Sequence, residues 1–456
     1  MSAFDDLTAR DMGVSQYMVN YTQHINKDSI SHNTRKGDVT AFADKSRHIV
    51  ADSGGFQLGM GRLDYLDPME IIQWYNNNAD IGIVLDIPMH FNDPELYQRL
   101  GRVQAANTEL MMQNKRPSLE LMNIFHGNTQ EEVSRYRELV ERDDITRLAM
   151  GGTYYDTQMT AIAKIIQQMV TGRKYEQYHM LGVAKLSLVY PLIYMAKKGL
   201  APLITSDAST WLQESVSKGY YFQEHISTPP GFFKMFDKVN SPSPFNHLPC
   251  NCPVCTAIKY TDVLSVIGGN VSTFLLAYHN MYTYNRIVTS MTEIIMNSTD
   301  KEVREVVNGH LKTRGGKGES MKLYDLIDSV VDVGYDATRN KYSFFLNSLP
   351  TTGPGKTSSL FGAVPETQVL DENGDPVPEM TEEDARDRIT SILERYESDT
   401  VAKVKHGVKS KTGAPKGHTK ASSTSTKRGS KASKEARDRV AKRRKQSDGE
   451  RSKAKK

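Results

Sequence analysis

The only three cysteines in 456 residues stand within six positions, at Cys250, Cys252 and Cys255. A disulfide framework spreads its thiols along the chain and uses an even number of them. Three clustered thiols are instead a metal-binding pattern, and they suit a reducing compartment. His279 follows Cys255 by 24 positions and would complete a Cys₃His set. That set is a closed tetrahedral zinc site, with no open position for water. The expected role of a Zn2+ there is therefore structural: it would hold a loop to a helix. His247 is the rival fourth ligand, but it stands only three residues before Cys250, too tight a loop to close easily.

The second group is made of carboxylates. Asp52, Asp86 and Asp207 each follow a short apolar run that reads as a strand. A single Asp in that position is usually a helix N-cap. Three that converge on one face suggest a nucleophile, a proton donor or acceptor, and a partner for a polar substrate. Paired carboxylates are the apparatus for displacement at an anomeric carbon with retention.

The elements that must carry these residues alternate. Strand candidates are His48–Ala51, Ile81–Leu85, Leu121–Phe125, Leu148–Met150, Tyr178–Leu181 and Pro202–Thr205. Helical spacing marks Pro68–Asn78, Gln130–Arg142 and Tyr155–Val170 between them. Such alternation predicts an α/β fold on a parallel sheet. Polar or glycine-rich residues follow the strands: Asp52-Ser53-Gly54-Gly55, Asp86-Ile87-Pro88, His126-Gly127-Asn128, Gly151-Gly152-Thr153, Gly182 and Ser206-Asp207. In a (β/α)8 TIM barrel the site is built at that end of the strands. An open doubly wound sheet is the alternative.

Further along, Thr261 to Ser298 reads as helical, Leu349 to Glu379 as a linker or surface loop, and Thr381 to Ser398 as a short helix. The organisation expected is a barrel with a zinc subdomain over 1–300, a helical and linker region over 301–402, and a tail over 403–456. The tail, Lys403–Lys456, holds 20 Lys and Arg against 4 Asp and Glu, a formal charge of +16, so the rest of the chain carries −12. It has no aromatic residue and is expected to be disordered. A polycation of this kind grips phosphates without reading sequence; a solubility tail or a localisation signal is the plainer account. No apolar run approaches a membrane span, and the acidic, polar N-terminus is not a secretory signal. The expectation is a cytoplasmic protein without membrane contact.

These residues resemble the tRNA-guanine transglycosylase family. The resemblance spans about residues 48 to 285 and rests on Asp52-Ser53-Gly54-Gly55-Phe56-Gln57, Asp80-Ile81-Gly82 with Leu85-Asp86-Ile87-Pro88, Gly151-Gly152, His179-x-Leu181-Gly182, Asp207-Ala208-Ser209, and the cysteine cluster with His279-Asn280. The Leu-Asp-Ile-Pro and Asp-Ala-Ser forms look like the archaeal, archaeosine-forming branch. The resemblance implies Asp207 as nucleophile and Asp52 as the acid and base at the exchanged purine. It implies Asp86 as reader of the guanine edge. Ser53, Phe56, His126, Gly151, Gly152, Thr153 and Gly182 would shape the purine pocket. Phe56 would stack on the base, or else is a core aromatic.

The chain also departs from the family. His126-Gly127 stands where the family has Gln-Gly, and the zinc histidine comes early. The C-terminal RNA-binding region of archaeal members is replaced by about 100 unpatterned residues and the basic tail. With these departures the chain looks more like the relatives of the family encoded by phages and in bacterial DNA-modification clusters, and that resemblance implies exchange of guanine in DNA for a free 7-deazaguanine base, 7-cyano-7-deazaguanine first, with protection of viral DNA from restriction nucleases as its use. In a virus-encoded protein the site of action would be the host cytoplasm. The alternative substrate is tRNA, and a non-catalytic nucleic-acid-binding subunit is a third reading. The reaction needs no ATP or redox cofactor, and a homodimer is left open.

Overall fold

Short aliphatic runs bounded by polar turns form strands when both faces can be covered. The structure, a computed structural model, describes residues 14, 16–22, 48–59, 63–87, 93–125, 130–151, 162, 165–167, 169–170, 173–207, 211, 220–222, 235–238, 251–257, 270–312, 320–342 and 382–401. Among them, seven strands make one sheet: β1 (Gln16–Asn20), β2 (His48–Asp52), β3 (Ile81–Ile83), β4 (Glu120–Phe125), β5 (Arg147–Met150), β6 (Gln177–Met180) and β7 (Ile204–Ser206). Their spatial order is their chain order, and every neighbouring pair is parallel. A doubly wound sheet reverses its strand order at a switch point. This one never reverses, so the doubly wound alternative is set aside. Right-handed crossovers in one direction put the helices on one side of a sheet that curls.

The six expected strands are present with ends moved by one or two residues. β3 is the exception in kind, because the chain leaves the sheet after Ile83 and Leu85 is already in the connection. β1 was not anticipated. It adds the edge neighbour of β2, in register Gln16 to His48 through Asn20 to Asp52.

The helices show their causes. In α2 (Pro68–Asn78), following α1 (Gly55–Gly59), Asp67 caps the first turn by accepting from Met69 N at 2.9 Å. Pro68 stands at the start, where its missing N–H costs nothing. Ile71, Ile72, Trp74 and Tyr75 bury one face. In α3 (Pro94–Asn114), Asp93 accepts from Glu95 N and Leu96 N at 3.0 and 3.1 Å. α4 (Gln130–Val140) and α5 (Leu186–Lys197) follow β4 and β6. α5 runs through Pro191 rather than breaking there, with Leu188, Val189, Leu192 and Met195 buried. No helix among the described residues is long and apolar enough to cross a membrane.

After a two-stranded antiparallel pair, β8 (Tyr220–Phe222) and β9 (Met235–Lys238), the described residues are mostly helical: α6 (Pro253–Ala257), α7 (Asn270–Asn297), α8 (Asp300–Lys312), α9 (Ser320–Val333), α10 (Tyr335–Lys341) and α11 (Glu382–Tyr396), which ends in a wide turn, Glu397–Val401. The described part of 301–402 packs on the sheet domain rather than linking away from it. Tyr194 of α5 donates to Asp328 at 2.7 Å, and Lys198 pairs with Asp300 at 2.8 Å. α11 returns to the N-terminal third. Tyr396 Oη donates to Leu66 O at 2.6 Å and accepts from Leu66 N at 3.1 Å. Arg99 forks onto Glu397 at 3.0 and 2.9 Å, and Arg386 pairs with the capping Asp93. The basic tail, the expected linker 349–379 and most of the helix expected over Tyr155–Val170 lie outside the described residues.

Candidate active site

Three strands lead into the three carboxylates. Asp52 is the last residue of β2, Asp207 follows β7 directly, and Asp86 stands three residues past β3. All are at the C-terminal edge of the parallel sheet. Asp52 is held from its edge neighbour. Asn20 Oδ1 accepts from Thr22 N at 2.8 Å and from Thr22 Oγ1 at 2.5 Å. That fixes the amide so that its Nδ2 donates to Asp52 Oδ2.

The turn after Asp52 binds it to Asp86. Gly54 has φ +82°, the left-handed region that a side chain strains. Gly55 lies directly on Asp86: a Cβ there would stand 1.9 Å from the Asp86 carbonyl oxygen and 2.7 Å from Oδ1. Ser53 is buried, accepts from Gly55 N at 3.3 Å and donates to Asp86 Oδ1 at 3.4 Å. Asp86 is itself buried.

Crowding of like charge has its usual result. Burial pushes the Asp52 carboxyl up from 3.8 to about 7. The negative charges of Asp86 and Asp207 add to the rise, and the backbone N–H groups of Gly54 and Ser53 oppose it. Asp52 thus sits where a carboxyl can both give and take a proton near neutral pH. Beneath, burial and then the charges of Asp52 and Asp86 hold the Tyr75 phenol well above its usual range. Its hydroxyl stays protonated and donates to Ile83 O at 2.9 Å.

Asp207 is held from β6. Gly182 N donates to Asp207 Oδ1 at 2.6 Å, and His179 Nε2 stands 3.5 Å from the same oxygen. Gly151 ends β5. Among the described residues a Cβ on it would meet Ile124 and Leu181 methyls at 3.8 Å, an ordinary packing distance. The side chain of Phe56, and His126, Gly152 and Thr153, lie outside the described residues. Sequence reasoning missed Asn20, Thr22 and Thr205 as parts of this end of the sheet. The only signal for Asn20 was a polar residue closing an apolar run, QYMVN.

Of the expected metal ligands, Cys252 and His279 are described and both are buried. Cys252 Sγ lies 3.3 Å from His279 Nδ1. Two ligands of one tetrahedral zinc, with bonds of about 2.3 Å to sulfur and 2.0–2.1 Å to nitrogen, stand about that far apart. His279 Nε2 lies 3.4 Å from Thr283 Oγ1, a hydroxyl able to accept the Nε2 proton in the tautomer that ligation through Nδ1 needs. The pair therefore fits a zinc. Cys250 and the side chain of Cys255 lie outside the described residues, and among the described residues no group of three or more metal-ligating side chains assembles.

A parallel sheet wound in chain order, with its acidic side chains gathered at the C-terminal edge, is the layout of barrel-type enzymes that build their site on the loops after the strands. Within that class, the chain is similar to tRNA-guanine(15) transglycosylases. It is 24% identical over 315 residues to that of Methanococcus aeolicus, and 24% identical over 320 residues to that of Methanocaldococcus jannaschii, covering 65% and 66% of this chain and 44% of each relative. The Aeropyrum pernix protein is 23% identical over 338 residues, 68% of this chain and 59% of its own. The chain thus spans about half the length of the curated relatives it matches. No protein-family model matches it.

Proposed function

We propose that this protein is a guanine transglycosylase, which exchanges a guanine in a nucleic acid for a free guanine-like base through a covalent intermediate. The observation that carries the reading is the gathering of Asp52, Asp86 and Asp207, with Asp52 raised to about 7. In this reading the Asp207 carboxylate attacks C1′ of the target nucleoside. The C1′–N9 bond breaks, and Asp52 gives its proton to the departing guanine. The incoming base loses its N9 proton to Asp52 and attacks C1′, and the bond to Asp207 breaks. Two inversions give net retention. The buried Asp86 accepts from the N1–H and amino group of guanine, which rejects bases lacking that edge. The target nucleotide must be flipped out or unpaired to reach such a site. Closure of the sheet by an eighth strand, and a zinc held by Cys250, Cys252, Cys255 and His279 as a structural staple, belong to the same reading.

For the polymer, the names of the relatives favour tRNA over the DNA that the sequence favoured. DNA is kept as the second reading on one observation, the +16 tail, since a polycation suits a long uniform phosphate chain. The deciding experiment offers labelled guanine and 7-cyano-7-deazaguanine with bulk tRNA, single-stranded DNA and duplex DNA in parallel. Label in tRNA alone supports the tRNA form. Label in DNA alone restores the DNA form. Exchange into neither polymer, with an Asp207→Asn variant indistinguishable from the parent, removes the proposal. Deleting 403–456 should flatten the salt dependence of binding, whose slope is about −0.9 per neutralised phosphate in duplex DNA.

A further inference from the structure

We propose that His179 is a positioning residue for Asp207, anchoring one carboxylate oxygen so that the other faces the reacting carbon. The proposal rests on Asp207 being the nucleophile, as above.

The argument runs along a hydrogen-bond chain across three strands. Arg147 of β5 donates through Nη1 to Gln177 Oε1 on β6. A guanidinium can only donate, so the Gln177 amide is oriented, and its Nε2 donates to Thr205 Oγ1 on β7 at 2.9 Å. In the arrangement proposed, the Thr205 hydroxyl, which accepts from Gln177, gives its own hydrogen to His179 Nδ1, 2.9 Å away. The ring proton of a neutral His179 is then on Nε2. That nitrogen is buried, makes no hydrogen bond among the described residues, and stands 3.5 Å from Asp207 Oδ1.

A second route reaches the same tautomer. A bare Nε2 lone pair against a carboxylate oxygen in a buried place is repulsive, whereas an N–H there is attractive. The Gly182 N–H meets the same Oδ1 at 2.6 Å. Two donors on Oδ1 leave Oδ2 as the attacking atom. The 3.5 Å separation is longer than a formed hydrogen bond, and such contacts commonly tighten when substrate is bound. When the glycosyl–Asp207 bond breaks, the electron pair returns to a carboxylate that already has its donors in place.

The test compares His179→Leu, His179→Gln and Thr205→Val with Asp207→Asn in the full chain, in a guanine-exchange assay on the active polymer, with thermal unfolding as the check on folding. A misplaced reacting group costs up to about 100-fold, so His179→Leu should lose about 10- to 100-fold in kcat with KM little changed. His179→Gln can carry an N–H at the Nε2 place and should recover most of the activity. Thr205→Val frees the tautomer and should show a smaller loss of the same kind. If folded His179→Leu keeps the parental kcat while Asp207→Asn is dead, the proposal is wrong. It is equally wrong if Gln is no better than Leu. Persistent exchange in Asp207→Asn would instead overturn the reading on which the proposal rests.

Discussion

Asn20 and Asp52 stand opposite each other in the β1–β2 register, and the oriented amide of the first donates to the carboxylate of the second. A carboxyl raised to about 7 is charged or neutral depending on small changes of pH. Its folded value is above its unfolded one, so the folded state binds the proton more tightly. Its contribution to stability is fully present below about 4 and is lost as pH rises through about 7. Asp52→Asn stays neutral and keeps an acceptor for Asn20. Its gain in stability over the parent should grow between pH 4 and 7 and level off above. At about 1.36 kcal/mol per unit the gain is at most about 4 kcal/mol. Denaturant titrations at pH 4, 5.5 and 8 measure it, and a constant difference would deny that Asp52 titrates there. Base exchange should fall by about 100-fold or more, the usual scale for a lost acid–base group.

Gly55→Ala should uncouple Asp52 from Asp86. Its Cβ would lie 1.9 Å from a backbone oxygen, which has no rotamer to escape into. Overpacking of this kind costs about 1–3 kcal/mol. The larger effect should be on the affinity for guanine, because Asp86 is the residue displaced. Equilibrium binding of guanine to parent and variant decides the point.

Cys252→Ser should act on the fold rather than the chemistry. The thiol is buried against His279, and ligation energy at a closed site is folding energy. The parent should hold about one zinc per chain by metal analysis, the variant much less with a lower unfolding midpoint. A parent with freely titratable thiols and no zinc would contradict this.

Tyr396→Phe should loosen the loop before α2. Loss of the hydroxyl strands both the N–H and the C=O of Leu66, at about 1–3 kcal/mol for a buried pair left unsatisfied. Hydrogen exchange at residues 63–67 should quicken while the strands stay protected.

Where local rules decide, the fold was legible. Pro68–Asn78 was read to the residue from its helical apolar spacing, with which the Asp67 cap and the leading proline seen in the structure agree. The three aspartates were legible because a polar residue after an aliphatic run is visible in one dimension. β1 was not: it is five residues long, and its apolar positions are covered only once β2 lies beside it. His179 stood within a motif, but its place against Thr205 and Asp207 comes from the pairing of β6 with β7. The docking of α11 was hidden for the same reason. Its amphipathic pattern is plain, and its partners Leu66, Asp93 and Arg99 are some 300 positions away.

That last contact has a consequence in time. Synthesis at roughly 5–20 residues per second takes roughly 15 to 65 s to deliver Tyr396 after Leu66 has left the ribosome. Through that interval the strands carrying Asp52 and Asp86 must hold without the helix that clasps the intervening loop. A nascent chain halted before 382 would have both carboxylates and no clasp, so the moment at which this site becomes rigid is set by α11, the last helix among the described residues, rather than by the strands that lead into it.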